Sequence, residues 1–434
     1  MNNNIYNLIK CIHRLMVDKL ATDKYSVVPV ELIFQIHKSP CKVVLAITGG
    51  GGAEIIGELL RHGSGSATVL DAVVPYSTDS MDRFLGRKPE KYCSEKTARL
   101  MAMVAYQRAL ELSKANEFAG QEIIGIGATC KLKAENEREG RKHEIHVAIQ
   151  AACKTGVSSL ELTADRTREE EEKIAALLVF NVLARHCVVS EIDLSDVIET
   201  GGEEKNEEVI EKYEFVSRPV GDLLKQRKIS QDNNYETLSM ARINLKEPEA
   251  FEEPGESGEP EKIRLVFPPG SFDPPCHRNH VLMARLASEK LGEPVHFEIS
   301  LTNVDKPPID FISLNQRLDS LRIHKNENFM GGICLTNAPL FLQKADLFPD
   351  STFIIGADTF NRLFDAKYYG GTVNIPAILK HFKEKNIRFL VFHRKSTEFC
   401  INPDVPELCE IVSLDEYEDD GTSSTEIRRK CENV

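Results

Sequence analysis

Residues Gly270–His280 read GSFDPPCHRNH, between the apolar run IRLVFPP (263–269) and the helical run VLMARLASEKLG (281–292). A short β-rich run handing over to a helix through Gly and Pro is a strand–turn–helix pattern. A helix start exposes unpaired N–H groups and the positive end of the dipole, which favours an anion. His277 and His280 can donate hydrogen bonds to phosphate oxygens there. Gly270 lets a phosphate approach the backbone closely. Asn279 is expected to cap a helix beginning at His280, and Gly292 to end it.

Working outward, PVHFEIS (294–300), GICLT (332–336), STFIIGAD (351–358), IRFLVFH (387–393) and EIVSL (410–414) are further strand candidates, most separated by helical runs. The alternation predicts a parallel, doubly wound α/β sheet. Ligands of such sheets bind beyond the carboxyl ends of the strands, near a topological switch point. Three stretches are candidates for that edge: GSFDPPCHRNH, the GAD of Gly356–Asp358, and SSTEIRRK at 423–430. In the last, Ser423 and Glu426 fit a capping box, leaving Ser424, Thr425 and Arg428 for a second phosphate group. Alone, each stretch is an ordinary turn or cap. Their order on one βα domain is the informative feature.

GSFDP, then HxxH at a helix start, then a distal SSTxxR, resembles the nucleotidylyltransferase superfamily. FIIGAD (353–358) and IRFLVFHR (387–394) look most like the nicotinate and nicotinamide mononucleotide adenylyltransferases, with similar counterparts to SLNQRLDSLR (313–322) and DKPP (305–308). The resemblance covers about 263–430. It implies a Rossmann-like domain of the HxGH type that moves an adenylyl group from ATP to a phosphorylated acceptor and releases pyrophosphate. On that template His277 and His280 hold the triphosphate and stabilise the transition state, with Arg428 beside them. Gly270, Ser271, Phe272, Lys306, Gly356, Asp358, Arg394, Ser423, Ser424 and Thr425 complete the nucleotide site, and Mg²⁺ arrives on the triphosphate. The family places its first histidine where this chain has Cys276, and a glycine where it has Asn279. Either one residue is inserted and HRNH is the working pair, or the first histidine is replaced. A cytidylyltransferase acting on another acceptor and a non-catalytic nucleotide sensor or scaffold are the alternatives.

From Val43 to Cys187, strand and helix patterns again alternate: VVLAIT, a GGGG turn at 49–52, AEIIGELLRHG, ATVLDAVVPY, the helical run 94–116, EIIGIGAT, EIHVAIQA and TREEEEKIAALLVFNVLARHC. The glycine turn invites a phosphate-binding reading, but there is no proper GxGxxG. The TGG of Thr48–Gly50, VVPYS around Tyr76, CSE (93–95), GIGAT (125–129) and TADRTREEEE (163–172) resemble the CinA C-terminal domain, whose family includes nicotinamide mononucleotide deamidases. The active deamidases carry a nucleophilic serine where this chain has Ala46, and a lysine where it has Met81. Ala46, Thr48, Gly49, Gly50, Tyr76 and Met81 therefore mark a degenerate deamidase-like site, in a domain expected to bind a nucleotide or mediate homo-oligomerisation.

The expected organisation is a CinA-like domain over 1–194, an acidic linker rich in Glu, Pro and Gly over 195–262, and the transferase-like domain over 263–434. Within the linker, VSRPVGDLLKQRKISQ (216–231) could join either neighbour. At 434 residues the chain exceeds one ordinary core. Its net charge of −13 offers no global field for nucleic acid. No apolar run reaches the ~18 residues that cross a bilayer, and the amphipathic MNNNIYNLIKCIHRLMVDKL lacks the core of a signal peptide. The eleven cysteines form no CxxC pair, so no metal site is expected, and a cytoplasmic protein with reduced thiols is.

Overall fold

The computed structural model describes residues 26–48, 50–113, 120–198, 207–225, 239–243, 251–252, 262–268, 276–303, 306–365, 368, 375–393 and 406–417. The chain forms two compact units, Met1–Ala151 with Thr155–Tyr213, and Ala152–Lys154 with Glu214–Val434.

In the first unit the strands are β1 (Cys41–Ile47), β2 (Val69–Val73), β3 (Glu122–Lys131), β4 (His143–Gln150), β5 (Lys154–Leu162) and β6 (Ile210–Phe215), in the sheet order β2-β1-β3-β4-β5-β6. The helices are α1 (Val30–Lys38), α2 (Glu54–Arg61), α3 (Thr78–Leu85), α4 (Glu95–Leu112) and α5 (Arg168–His186). β1 lies parallel to both neighbours, whereas β3, β4 and β5 run antiparallel. All of β1 is buried. Val43, Leu45 and Ile47 face the cluster that takes in Leu178 and Phe180 of α5, while Val44 and Ala46 face Met101 and Ala105 of α4. A strand covered on both faces shows no polar alternation, which is why VVLAI reads as a continuous apolar run. At Gly127 a Cβ would meet the Ala98 carbonyl oxygen at 2.3 Å, so α4 lies against β3 backbone to backbone. α5 starts on the Thr167–Glu170 capping box and ends on Arg185 and His186, as its charge pattern predicts.

The second unit contains α6 (Arg218–Lys225), α7 (Arg278–Leu291), α8 (Phe311–Arg322), α9 (Phe341–Leu347), α10 (Ala357–Arg362) and α11 (Ile375–Glu384). Its strands are β7 (Met240–Ile243), β8 (Phe251–Glu252), β9 (Leu265–Phe267), β10 (Val295–Ser300), β11 (Met330–Thr336), β12 (Thr352–Gly356), β13 (Arg388–Phe392) and β14 (Cys409–Val412). They form one sheet in the order β14-β13-β12-β9-β10-β11-β7-β8. Every pair from β14 to β11 is parallel. From β9 the chain steps outward through β10 to β11, then returns to the other side of β9 and steps through β12 and β13 to β14. The order therefore reverses between β9 and β12.

Two differences from the sequence expectation stand out. The sheet is mixed, because β7 adds antiparallel to β11 and β8 to β7. The 195–262 segment, expected as linker, also supplies β6, α6, β7 and β8. Its short apolar patterns suffice for this: α6 buries Val220, Leu223 and Leu224, and β7 buries the alternate residues Ala241 and Ile243. Among the described residues no helix is long and apolar enough to cross a membrane.

Candidate functional site

In the second unit the candidate site lies at the carboxyl ends of β12, β9 and β10. β9 is short and fully buried. His277 is the N-cap residue of α7, extended at φ −92° and ψ 169°, and its carbonyl accepts the His280 N–H at 2.9 Å. The cap is thus His277 and not Asn279. Asn279 is inside the first turn and fully buried, so its propensity for caps is overridden by burial. Gly292 ends the helix in the left-handed region at φ 69°, as expected.

The imidazole rings of His277 and His280 stack with centroids 3.7 Å apart and planes 25° from parallel. Phe267, the last residue of β9, meets the His280 ring edge-on at 5.7 Å. The helix start and the strand end therefore fix one histidine pair, and both rings are largely buried. Cys276 precedes the pair: its N–H donates to Ser320 Oγ at 3.2 Å, and burial pushes its thiol up to about 12. Gly356 ends β12 and caps α10, leaving Asp358 in the first turn. Lys306 is exposed on the connection from β10 to α8. The topology thus brings His277, His280, Lys306, Gly356 and Asp358 to one edge of the sheet. Gly270, Ser271, Phe272, Arg394, Ser423, Ser424, Thr425 and Arg428 lie outside the described residues.

Behind this edge, Lys344 Nζ of α9 donates to both carboxylate oxygens of Glu298 on β10 at 2.7 Å, and Thr336 Oγ1 of β11 donates to the same carboxylate. All three residues are buried. Pattern reading missed this network because a lone Lys and a lone Glu, 46 residues apart, resemble ordinary surface charges.

In the first unit, Ala46 and Met81 belong to one apolar cluster with Val44, Leu85, Met101 and Ala105, and both are buried. The two positions where a serine and a lysine were expected are brought together, but in a hydrocarbon environment. Tyr76 stands in solvent at 75% exposure. The Thr48 N–H donates to the Ala128 carbonyl at 2.9 Å, while its Oγ1 is buried with no hydrogen-bond partner among the described residues. Gly50 is required sterically, since a Cβ there would lie 2.3 Å from the Cys130 carbonyl oxygen. Gly49 lies outside the described residues.

Among the described residues of the glycine turn, the amides that open α2 are already engaged. The carboxylate of Glu172, from α5, accepts the N–H of Gly52 at 2.8 Å and that of Glu54 at 3.2 Å. An internal anion occupies the start of α2, where an external one would be favoured. Arg168 flanks it, donating to the Gly50 carbonyl at 2.9 Å.

Two groups of side chains far apart in sequence also converge in this unit: Cys93 with Glu144 and His146, and Cys41 with Glu122 and His186. Within each group the ligating atoms lie within 4.8 Å of one another. In the first group, burial and then Glu144 push the Cys93 thiol up to about 12, and burial lowers His146. His146 Nδ1 also lies 2.8 Å from Ser159 Oγ.

No family model matches the chain, and no curated protein does. Solved structures of the CinA superfamily do match part of it. One is the competence/damage-inducible protein CihA from Agrobacterium tumefaciens, 22% identical over 36% of this chain and 93% of that one, with a TM-score of 0.29. A CinA-superfamily protein from Escherichia coli is 14% identical over 40% of this chain and 96% of its own, with a TM-score of 0.28. A competence or damage-inducible protein from Enterobacter asburiae is 16% identical over 37% and 96%, also with a TM-score of 0.28. The structural neighbours are thus CinA-superfamily proteins, matching between a third and two fifths of the chain at low identity.

Proposed function

We propose that the second unit is a nucleotidylyltransferase that moves an adenylyl group from ATP to a phosphorylated acceptor such as nicotinamide or nicotinate mononucleotide. The observation that carries the reading is the stacked pair His277 and His280, at a helix start beyond the carboxyl end of β9, where the strand order reverses. Counted from β9, the six parallel strands follow the order 3-2-1-4-5-6, that of Rossmann-like folds whose ligands bind at this reversal. The pairing also favours Cys276 as an inserted residue, with HRNH as the working motif.

In this reading an oxygen of the acceptor phosphate attacks the α-phosphorus of ATP. A new P–O bond forms, the bond from the α-phosphorus to the bridging oxygen breaks, and pyrophosphate leaves with the Mg²⁺ that entered on the substrate. No covalent enzyme intermediate is needed, so the protein supplies positioning and charge stabilisation. His277 and His280 donate to the phosphate oxygens, Lys306 adds positive charge from the β10 edge, and Asp358 contacts the nucleoside. Ring N–H groups on both imidazoles can donate to phosphate oxygens.

The test is pyrophosphate release by the full chain with Mg²⁺, ATP and either mononucleotide. His280→Ala is expected to lower the rate by about 10²–10³-fold or more, the usual effect of losing one transition-state donor. Nucleotide binding without turnover across a panel of triphosphates and phosphorylated acceptors would replace this reading with that of a sensor. For the first unit we propose no amide hydrolysis. The support is that Ala46 and Met81 supply neither hydroxyl nor amine to the cluster they share.

A further inference from the structure

The N-terminal edge of the first sheet lies opposite the Ala46 end of β1. Cys41 opens β1 and Glu122 opens β3, and the two residues are direct partners in the parallel ladder. His186 is the last residue of α5 and Cys187 its C-cap. Two strand starts and one helix end therefore deliver a thiol, an imidazole and a carboxylate to one place.

His186 Nε2 lies 3.2 Å from Glu122 Oε2, and the His186 side chain is only 7% exposed. That nitrogen is buried without a hydrogen bond of acceptable geometry. The Cys41 sulfur lies within 4.8 Å of the ligating atoms of both Glu122 and His186. Zinc–ligand bonds of about 2.0–2.3 Å in a tetrahedron set neighbouring ligand atoms roughly 3.3–3.8 Å apart. Closing the Cys41, Glu122 and His186 atoms from at most 4.8 Å onto three corners of such a tetrahedron takes about 1–1.5 Å, and solvent can fill the fourth. A thiolate and an imidazole suit a borderline-soft divalent ion better than the hard ions Mg²⁺ or Ca²⁺. Glu122, half exposed, leaves a path from solvent.

We propose that Cys41, Glu122 and His186 form a binding site for a zinc-class divalent transition metal. On binding, one metal–thiolate bond forms and the thiol proton passes to solvent, so uptake weakens as pH falls. The ion joins the starts of β1 and β3 to the end of α5, and it stabilises the folded unit by mass action.

Cobalt(II) is a suitable probe, because its thiolate charge-transfer absorption reports sulfur ligation directly. Reduced full-length protein, freed of metal and titrated with Co²⁺, is expected to bind one equivalent at this site with that absorption. Cys41→Ser should lose the band, and Glu122→Gln should weaken apparent affinity by at least about tenfold, the lower bound for disturbing a metal's surroundings. Cys93→Ser, in the other cluster, should retain the band. Zn²⁺ should raise the thermal midpoint of the Glu122→Gln variant less than that of the unaltered chain, a readout that stands even if Cys41→Ser folds poorly. A folded, reduced protein with no thiolate band would overturn the proposal, as would a band that Cys93→Ser abolishes and Cys41→Ser leaves intact.

Discussion

Replacing Lys344 with Met would isolate the buried Glu298 carboxylate, and the size of the effect can be worked out. Lys344 is 6% exposed and Glu298 1%. Both Glu298 oxygens accept from Lys344 Nζ at 2.7 Å. At an effective dielectric of 20, opposite charges this close attract by about 6 kcal/mol, much of which offsets the desolvation of the two ions. Removing only the ammonium leaves that desolvation uncompensated, at a cost of about 3–5 kcal/mol. Such a loss approaches the whole stability of a marginal domain, about 5–15 kcal/mol. The double variant Glu298→Leu/Lys344→Met removes both charges. It should fall within about 1–2 kcal/mol of the unaltered protein, the residue being the lost acceptor of the Thr336 hydroxyl. The chain has no tryptophan and two units, so one global fluorescence transition is a poor assay. Hydrogen exchange of peptides covering β10 and α9, in a urea series, reads the local free energy. A Lys344→Met loss below about 1 kcal/mol would refute the reasoning, as would a double variant no more stable than the single one.

Two further outcomes are expected from the first unit. His37 is buried, with Nε2 2.9 Å from the Leu59 carbonyl and Nδ1 3.2 Å from Thr68 Oγ1, and burial lowers its pKa more than the carbonyl raises it. The unfolded state therefore takes up the proton first. Stability is fully present above about pH 6.5, the ordinary histidine value, and declines as pH falls from there toward the lower folded value. His37→Gln should flatten that decline, measured as the urea midpoint of this unit against pH; an unchanged slope excludes His37 as its source. Ala46→Ser should release no ammonia from nicotinamide mononucleotide, because Met81 still offers no amine, and burying the new hydroxyl should cost about 1–3 kcal/mol. Ammonia release by that single variant would contradict the account of the cluster.

The parallel strands of the second unit were legible because short β-branched runs separated by helical patterns have few other interpretations. β6, α6, β7 and β8 were not, since their apolar residues are few and sit in acidic, proline-rich surroundings. The cap of α7 was misplaced by two residues because Asn279 is a good cap in isolation, whereas in the fold it is needed inside the first turn. The pairing of His277 with His280 could be foreseen from their spacing on a helix start. The edge-on support from Phe267 could not, because it depends on where β9 stops. The Cys41 and Cys93 clusters escaped for a related reason: spacing rules search for neighbours along the chain, and these ligands meet only through strand register and packing.

Glu172 at the start of α2 has one more consequence. A carboxylate attached to the same chain acts at an effective concentration set by its tether, of millimolar order even when the link is flexible. Held in place on α5, it is a resident competitor for the Gly52 and Glu54 amides. A free anion reaches those amides only by outcompeting it. The turn that most resembles a nucleotide cradle is therefore capped from within the chain. Glu172→Gln would be the change that puts its amides back into exchange with anions in solution.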